Sequence, residues 1–295
     1  MAGATNALRP PLDDLYAAWR DLFDAHVEQR ARLLPEPEPD DYWGARAEEY
    51  APRAFASEAS EVLADLTLPD DVWLDIGAGA GRITVDLARH VREVRAVDPS
   101  AGMTERLRRS VAESGHANIT VLPSMAWPPD GPPDDAVAPV DVALSVHVIY
   151  FTREIAPFID AMEEAARRLC VVVATRHRGQ TPPDFELWEA LHGEPHASTP
   201  GVYDLLSILA ARGSEVELRH VGRSIRRAPQ PIDDVLAFER TRHLIAAGSP
   251  GERRLHDGLL DRFGRGDGLV ELPPRERLAA AWWRPPGAPL VRQSK

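Results

Sequence analysis

The run Trp73-Leu-Asp-Ile-Gly-Ala-Gly-Ala-Gly-Arg82 constrains this chain more than any other, because it joins an apolar strand to a helix through three alternating glycines. Val72, Trp73, Leu74 and Ile76 read as a buried strand, and Ile83, Val85, Leu87 and Ala88 as the helix that follows. Gly77, Gly79 and Gly81 let the backbone turn sharply and come close to a ligand, and the first amides of the helix face the same space. Asp75, just before the first glycine, is out of place in a phosphate site. A carboxylate there repels pyrophosphate and attracts a cationic ligand.

A second apolar run, Val94 to Val97, ends at Asp98 and turns at Pro99-Ser100. An acid at the end of that strand can accept both hydroxyls of a ribose. Its distance from Gly81 is near the roughly 20 residues expected of a strand-helix-strand unit with a ribose acid. Arg82 stands where a dinucleotide site of the Gly-x-Gly-x-x-Gly type needs its third glycine, which disfavours a nicotinamide cofactor.

With Asp75, Gly77, Gly79, Gly81 and then Asp98, the chain resembles the class I S-adenosylmethionine-dependent methyltransferases, whose first motif is Asp/Glu-x-Gly-x-Gly-x-Gly. The resemblance implies S-adenosyl-L-methionine as cofactor, with the glycine loop against its methionine part and ribose, Asp75 near its ammonium end and Asp98 on the ribose. It extends the cofactor-binding set to Ala78 in the loop, Pro99 after the acid and Met103 in the next helix. In this family an acid after the third strand often meets the adenine amino group. Ser124-Met125-Ala126-Trp127 stands there instead, so Met125 and Trp127 are the candidates for the adenine ring.

With 295 residues, the chain has room for one large α/β domain with additions or at most two domains. The net charge of −12 argues against a general nucleic-acid surface, and the arginine pairs and runs at 106–109, 226–227 and 253–254 read as solvated faces. Lysine occurs only at Lys295, so no internal lysine is available for a Schiff base or a phosphate loop. Cys170, beside Val171-Val172-Val173, reads as a buried strand residue. No apolar run approaches the roughly 20 residues that span a bilayer, and no secretory signal precedes the first helix, so a cytoplasmic location is expected.

Strands and helices alternate after the motif. Ile119–Leu122, Val140–Val146 and Cys170–Thr175 read as strands three to five, with a helix over Ile155–Leu169 before the last of these. Such alternation implies right-handed crossovers and a parallel sheet covered on both faces. Tyr203–Arg212 reads as a helix, with Glu215–Val221 and Leu278–Trp283 as late strands. The resemblance implies that the final strand inserts antiparallel, making the Ile232–Phe263 stretch a helical insertion before it. The expected fold is α/β: a seven-stranded, mostly parallel, doubly wound sheet with an antiparallel last strand. The expected organisation is an amino-terminal helical lid over 1–55, a Rossmann-like cofactor core over 56–180 and a carboxy-terminal part over 181–295 that completes the sheet.

Leucine and aromatic residues from Leu12 to Val27 give an amphipathic helix, followed by the proline-alternating linker Pro35–Asp41. In the lid reading of Asp41–Tyr50, Tyr42, Trp43 and Tyr50 wall the site and Arg46 meets a carboxylate. The same residues also fit an aromatic face packed on the sheet.

Open α/β sheets bind ligands beyond the carboxyl ends of their strands. Those ends carry Asp75, Asp98, His147 with Tyr150, and Arg176 with His177. His147 is the candidate catalytic residue, as a base for a hydroxyl or amine or as a group that orients the acceptor. The family's Asn/Asp-Pro-Pro-Tyr/Phe signature for amide and base amino groups is replaced by Ser145-Val-His-Val-Ile-Tyr150. The acceptor side is completed by Tyr150, His177, Trp188 and His192. His192 and His196 have a metal-like spacing, but Gly193 and Pro195 deny them a helix face, so no metal is expected. The sequence thus points to methyl transfer onto oxygen or nitrogen of a small molecule, with a homodimer compatible. An RNA or protein methyltransferase, or a cofactor binder without transferase activity, are the alternatives.

Overall fold

The computed structural model describes residues 10–52, 59–130, 135–176, 184–221, 228–272 and 278–288. Nine helices and nine strands occur among them, besides short 3-10 turns. Seven strands form one sheet: β1 (Val72–Ile76), β2 (Glu93–Val97), β3 (Ile119–Val121), β4 (Val140–Val146), β5 (Ala166–Thr175), β6 (Val216–Val221) and β9 (Leu278–Trp283). Their spatial order is β3-β2-β1-β4-β5-β9-β6. The first five are parallel, and β9 slots antiparallel between β5 and β6. The expected mostly parallel sheet with an inserted antiparallel last strand is the observed one.

β1 is buried along its whole length, which is why it reads as an uninterrupted apolar run apart from Asp75. Because side chains alternate across a strand, Leu74 and Ile76 join one core layer and Trp73 the other. The first layer is closed by helices α1 (Leu12–Leu33), α5 (Ile155–Ala165) and α7 (Val202–Ala211), through Trp19, Phe158, Met162, Leu205 and Leu209. The second is closed by α2 (Ser60–Leu66) and α3 (Arg82–Leu87) through Val62, Leu63 and Leu87. Helix α4 (Ala101–Ser114) crosses from β2 to β3.

One boundary differs from the sequence expectation. Helix α5 stops at Ala165, and residues 166–169, expected to be helical, already belong to β5. The cause is pairing: Ala166 and Leu169 register with Val140 and Val142 of β4, across a bulge. Cys170 is fully buried in that strand, as expected, and burial pushes its thiol well above the ordinary range.

The segment between β6 and β9 holds α8 (Ile232–Arg242) and α9 (Pro250–Phe263), the expected helical insertion. It also holds a two-stranded ribbon of β7 (Gln230–Pro231) and β8 (Leu269–Val270). Together with α6 (Asp184–His192) it builds a separate small core around Leu187, Leu255 and Leu259. Among the described residues, no helix is long and apolar enough to cross a membrane.

Candidate active site

The carboxyl ends of β1, β2 and β4 lie side by side, since β1 sits between β2 and β4 in the sheet. The glycine loop leaves the end of β1 and is held down by Gly77 and Ala78, whose amides donate to the carbonyl of Val97 at 2.8 and 3.0 Å. All three glycines have positive φ, a region costly to other residues. Gly79 is the one that faces open space. A Cβ built on it would meet only the Met103 sulfur, at 3.9 Å, so a ligand has unobstructed access to the backbone there.

Asp98 closes this loop from β2. One of its oxygens accepts from the Gly79 amide at 2.8 Å and the other from the Ser100 amide at 2.9 Å. Each oxygen keeps a further lone pair, so the carboxylate can still receive a pair of neighbouring hydroxyls. Burial raises the carboxyl above its ordinary range, against the two amide bonds that lower it. Ser100 then caps α4, its hydroxyl accepting from the Met103 amide at 3.0 Å.

Asp75 is placed differently from the expectation. Strand alternation turns its side chain to the α3 side of the sheet, where it accepts from the Thr84 hydroxyl at 2.6 Å and is 1% exposed. It lies beneath the glycine loop rather than at an open ammonium pocket. Burial lifts it to about pKa 6, with the charge of Asp98 adding to the rise and the Thr84 bond opposing it.

Residues 41–50 cover the loop. They fold as a turn and the 3-10 helix Gly44–Tyr50. Ala47 packs with Ala80 and Met103, and Trp43 rests against this cluster. Asp41, which carried no role in the sequence reading, accepts from the Gly44 amide at 2.8 Å and the Gly102 amide at 3.0 Å. The Ser100 hydroxyl and these two amides hold Asp41 below the usual carboxylate range. The backbones of Gly44 and Gly102 touch: a Cβ on Gly102 would lie 2.6 Å from the Gly44 Cα. Further ties run from Arg106 and Arg109 to Glu48, at 2.9 and 2.8 Å, and from Arg82 to the Glu49 carbonyl at 3.4 Å. Arg46 meets a carboxylate, but it is the segment's own Glu49 at 2.9 Å, along with the Tyr42 hydroxyl at 2.6 Å.

The aromatic candidates converge. Trp43 takes ring edges from Tyr42, Tyr50 and Phe151, with centroids 5.0, 5.7 and 5.1 Å away, and Phe151 adjoins Tyr150. Phe151 and Tyr50 remain 47% and 37% exposed, unlike the buried aromatics of the core. The segment's aromatic residues pack on one another and on Phe151, over the glycine loop and α4 rather than on the sheet.

His147 follows β4 with φ +60, a left-handed conformation unusual for a residue with a side chain. Its amide donates to the Val173 carbonyl at 2.9 Å, and its Nδ1 lies 3.3 Å from the Tyr150 hydroxyl. Tyr150 is buried and accepts from the Thr175 amide. Next to it, Val148 packs under Gly77, where a Cβ would meet its Cγ2 at 2.3 Å. The loop after β4 and the glycine loop are therefore fitted to each other.

Met125 lies beside the ribose-type acid, its amide donating to the Asp98 carbonyl at 3.3 Å, while Trp127 is turned to α5 and donates to the Phe158 carbonyl at 3.4 Å. Pro99 is exposed and Met103 buried. Trp188 and His192 are drawn into the packing of the carboxy-terminal part. Trp188 is 4% exposed between the rings of His192 and His196, and the His192 Nε2 is 2.8 Å from the His243 carbonyl. His177 and the Arg226-Arg227 pair lie outside the described residues.

Three residues that sequence reasoning missed left different traces. Asp41 three before Gly44, and Ser100 three before Met103, are local turn and cap spacings that could have been read. Thr84 could not, because its link to Asp75 spans the loop.

The parallel sheet with its inserted antiparallel strand, the glycine loop and the acid on β2 are the arrangement that the sequence reading expects of a methyl-donor site. Residues 74–170 match the model of a methyltransferase domain family. No curated protein matches the sequence. Among solved structures, YcgJ of Bacillus subtilis is similar at 15% identity, covering 77% of this chain and 98% of its own, with a TM-score of 0.52. A proposed methyltransferase of Bacillus halodurans C-125 is similar at 14% identity, covering 78% and 100%, with a TM-score of 0.52. A proposed methyltransferase of an antibiotic biosynthesis pathway in Anabaena variabilis reaches 17% identity, 75% and 95% coverage and a TM-score of 0.50. These likenesses bear on the fold. The family match runs from β1 into β5, so this stretch of the chain is a methyltransferase domain on a fold that these solved structures share.

Proposed function

We propose that this methyltransferase acts on a small molecule, transferring the methyl group to oxygen or nitrogen, with residues 41–50 as a lid over the cofactor. The observation that carries this reading is the docking of that segment onto the glycine loop and α4. A cover tied by Asp41, Arg106 and Arg109 suits a closed cleft better than a track for a polymer. The net charge of −12 supports the same choice over RNA.

The residues present fit S-adenosylmethionine. Asp98 has lone pairs for a vicinal diol beyond its two amide bonds, and Gly79 leaves its backbone open. When bound, the cofactor supplies an electrophilic methyl group on a sulfonium. The chain's own work is then alignment: Met125 and Met103 flank the acid, and the loop after β4 presents His147 to the acceptor. Tyr42, Trp43 and Tyr50 form the apolar rim on the lid side. The division into a lid over 1–55, a cofactor core over 56–180 and a sheet-completing part over 181–295 follows this division of labour.

Calorimetry with S-adenosylmethionine, S-adenosylhomocysteine and NAD tests the cofactor half. Binding of the first two, lost in Asp98→Ala by more than tenfold, is expected; preference for NAD would sink the reading. A screen of small oxygen and nitrogen acceptors, with His147→Ala as control, tests the rest. Turnover unchanged in that variant would remove His147 from the acceptor site.

A further inference from the structure

We propose that Arg176 is a specificity-determining residue that selects a methyl acceptor bearing a carboxylate, gripping that group with both arms of its guanidinium. The inference rests on the small-molecule reading and deepens it, since it names the class of acceptor taken at the same end of the sheet.

Arg176 follows Thr175, the last residue of β5, and is half-buried. Among the described residues, none forms an ion pair or a side-chain hydrogen bond with it. The chain has 46 acidic residues against 34 lysines and arginines, so the lack of a neighbouring acid belongs to the place and not to the composition. Arg46 of the segment 41–50 and Arg153 after the β4 loop are tied to Glu49 and Asp24. A partly desolvated guanidinium without a counter-charge is unfavourable, and the oxygen pair of a carboxylate is the group that matches its fork.

A second observation points to the same partner. The chain entering α7 crosses the end of β5 in backbone contact, and a Cβ on Gly201 would collide with the Arg176 carbonyl. Thr199, two residues earlier in this crossing, is 2% exposed, and its hydroxyl has no hydrogen-bond partner among the described residues. A buried hydroxyl is rarely left so. A hydroxyl proton and a guanidinium at one crossing of the chain both suit an oxygen anion.

Strand alternation agrees with this placement. Ala174 faces the first core layer, so Arg176, two residues on, leaves toward the same face, where Val202 at the start of α7 is packed.

The crossing adjoins the acceptor end. β4 and β5 stay in register to the Val146–Val173 pair, the His147 amide donates to the Val173 carbonyl, and the Thr175 amide donates to the Tyr150 hydroxyl. Arg176 is the next residue past these contacts. At about 3.3 Å per residue it stands roughly 10 Å beyond Val173, a distance that one small acceptor spans. One guanidinium balances one negative charge, so a carboxylate fits better than a phosphate dianion, whose second charge would go unmatched. Both carboxylate oxygens are occupied in the grip, so the reacting oxygen or nitrogen is a different atom of the acceptor.

The test is calorimetry on the full-length protein in the presence of S-adenosylhomocysteine, with hydroxybenzoates, aminobenzoates and hydroxyphenylpropionates each measured beside its primary amide. At least one carboxylate is expected to bind about tenfold or more tighter than its amide, and Arg176→Gln to erase that margin without changing the affinity for S-adenosylhomocysteine. No margin in the wild type, or a margin that survives Arg176→Gln, overturns the proposal. If Arg176→Gln does not fold, Arg176→Lys takes its place. A point charge without the fork is expected to cut the margin several-fold, and an unchanged margin overturns the proposal. The margin is read whether or not S-adenosylhomocysteine binds, so a failure of the cofactor reading shows separately. Amides that bind as well as their acids would leave the small-molecule reading standing and remove Arg176 from it.

Discussion

His147 holds a left-handed backbone at the end of β4, and such a conformation costs a residue with a Cβ roughly 1–2 kcal/mol. Glycine would remove that cost and lose only part of the gain to unfolded-state entropy, about 0.5–1 kcal/mol. His147→Gly is therefore expected to be at least as stable as the wild type in urea unfolding while its methyl transfer falls. A loss of more than about 1 kcal/mol would show the ring to be a packing element. Asp75 gives the second residue-scale expectation. Its pKa is raised to about 6 from 3.8, so the folded state prefers it protonated. Its stabilising contribution is full below pH 3.8 and is lost as pH rises through about 6, by roughly 3 kcal/mol in all. Asp75→Asn should accordingly be more stable than wild type at pH 7.5, with the advantage shrinking at pH 4.5, and should bind S-adenosylmethionine within about threefold of wild type. Asp98 was legible in the sequence because a strand end and a turn mark it locally. The burial of Asp75 was not, since its partner Thr84 belongs to the next element and only the alternation of β1 decides which face it takes.

At the scale of elements, the contact between residues 41–50 and α4 rests on two glycines. Gly102→Ala would improve the helix, since alanine is the better helix former by about 1 kcal/mol. It would also drive a methyl group into Gly44. The expected outcome is an α4 that stays folded beneath a lid that lifts: unchanged thermal unfolding, faster limited proteolysis near residues 35–50 and weaker S-adenosylmethionine binding. Proteolysis at the wild-type rate would argue that the contact has other ways to relax. The segment 41–50 was visible as aromatic residues after a proline linker, but its docking was not, because Asp41 and Gly102 are brought together by the fold. The boundary of α5 was misread for a related reason. Residues 166–169 have no strand pattern of their own and become strand by pairing with β4.

Across the whole molecule, α1 acts as a brace. The Trp19 indole donates to the Thr152 carbonyl at 2.8 Å, just past the His147–Phe151 stretch. Gln29 clasps the Pro195 carbonyl and the Ala197 amide at 2.8 and 2.7 Å. Trp19 is 1% exposed, so Trp19→Ala is expected to cost about 3–5 kcal/mol in chemical unfolding and to loosen the loop after β4 as well. A loss below about 1 kcal/mol would deny the brace. The mostly parallel seven-stranded sheet with its antiparallel last strand was legible because alternation and the resemblance at Asp75 to Asp98 both point to it, whereas the order of the strands was not read. The small β7–β8 ribbon was not, since two-residue strands carry no period and depend on what they pack against. The backbone contact of Gly44 with Gly102 also bears on time. With no side chain between them to yield, the lid proposed for residues 41–50 can lift only by parting two backbones, and entry of the donor is expected to wait on that one contact. On that proposal the hold of Asp41 on the Gly102 amide doubles as a timer for exchange, and an acceptor that arrives while it holds is left the way in beneath the aromatic rim.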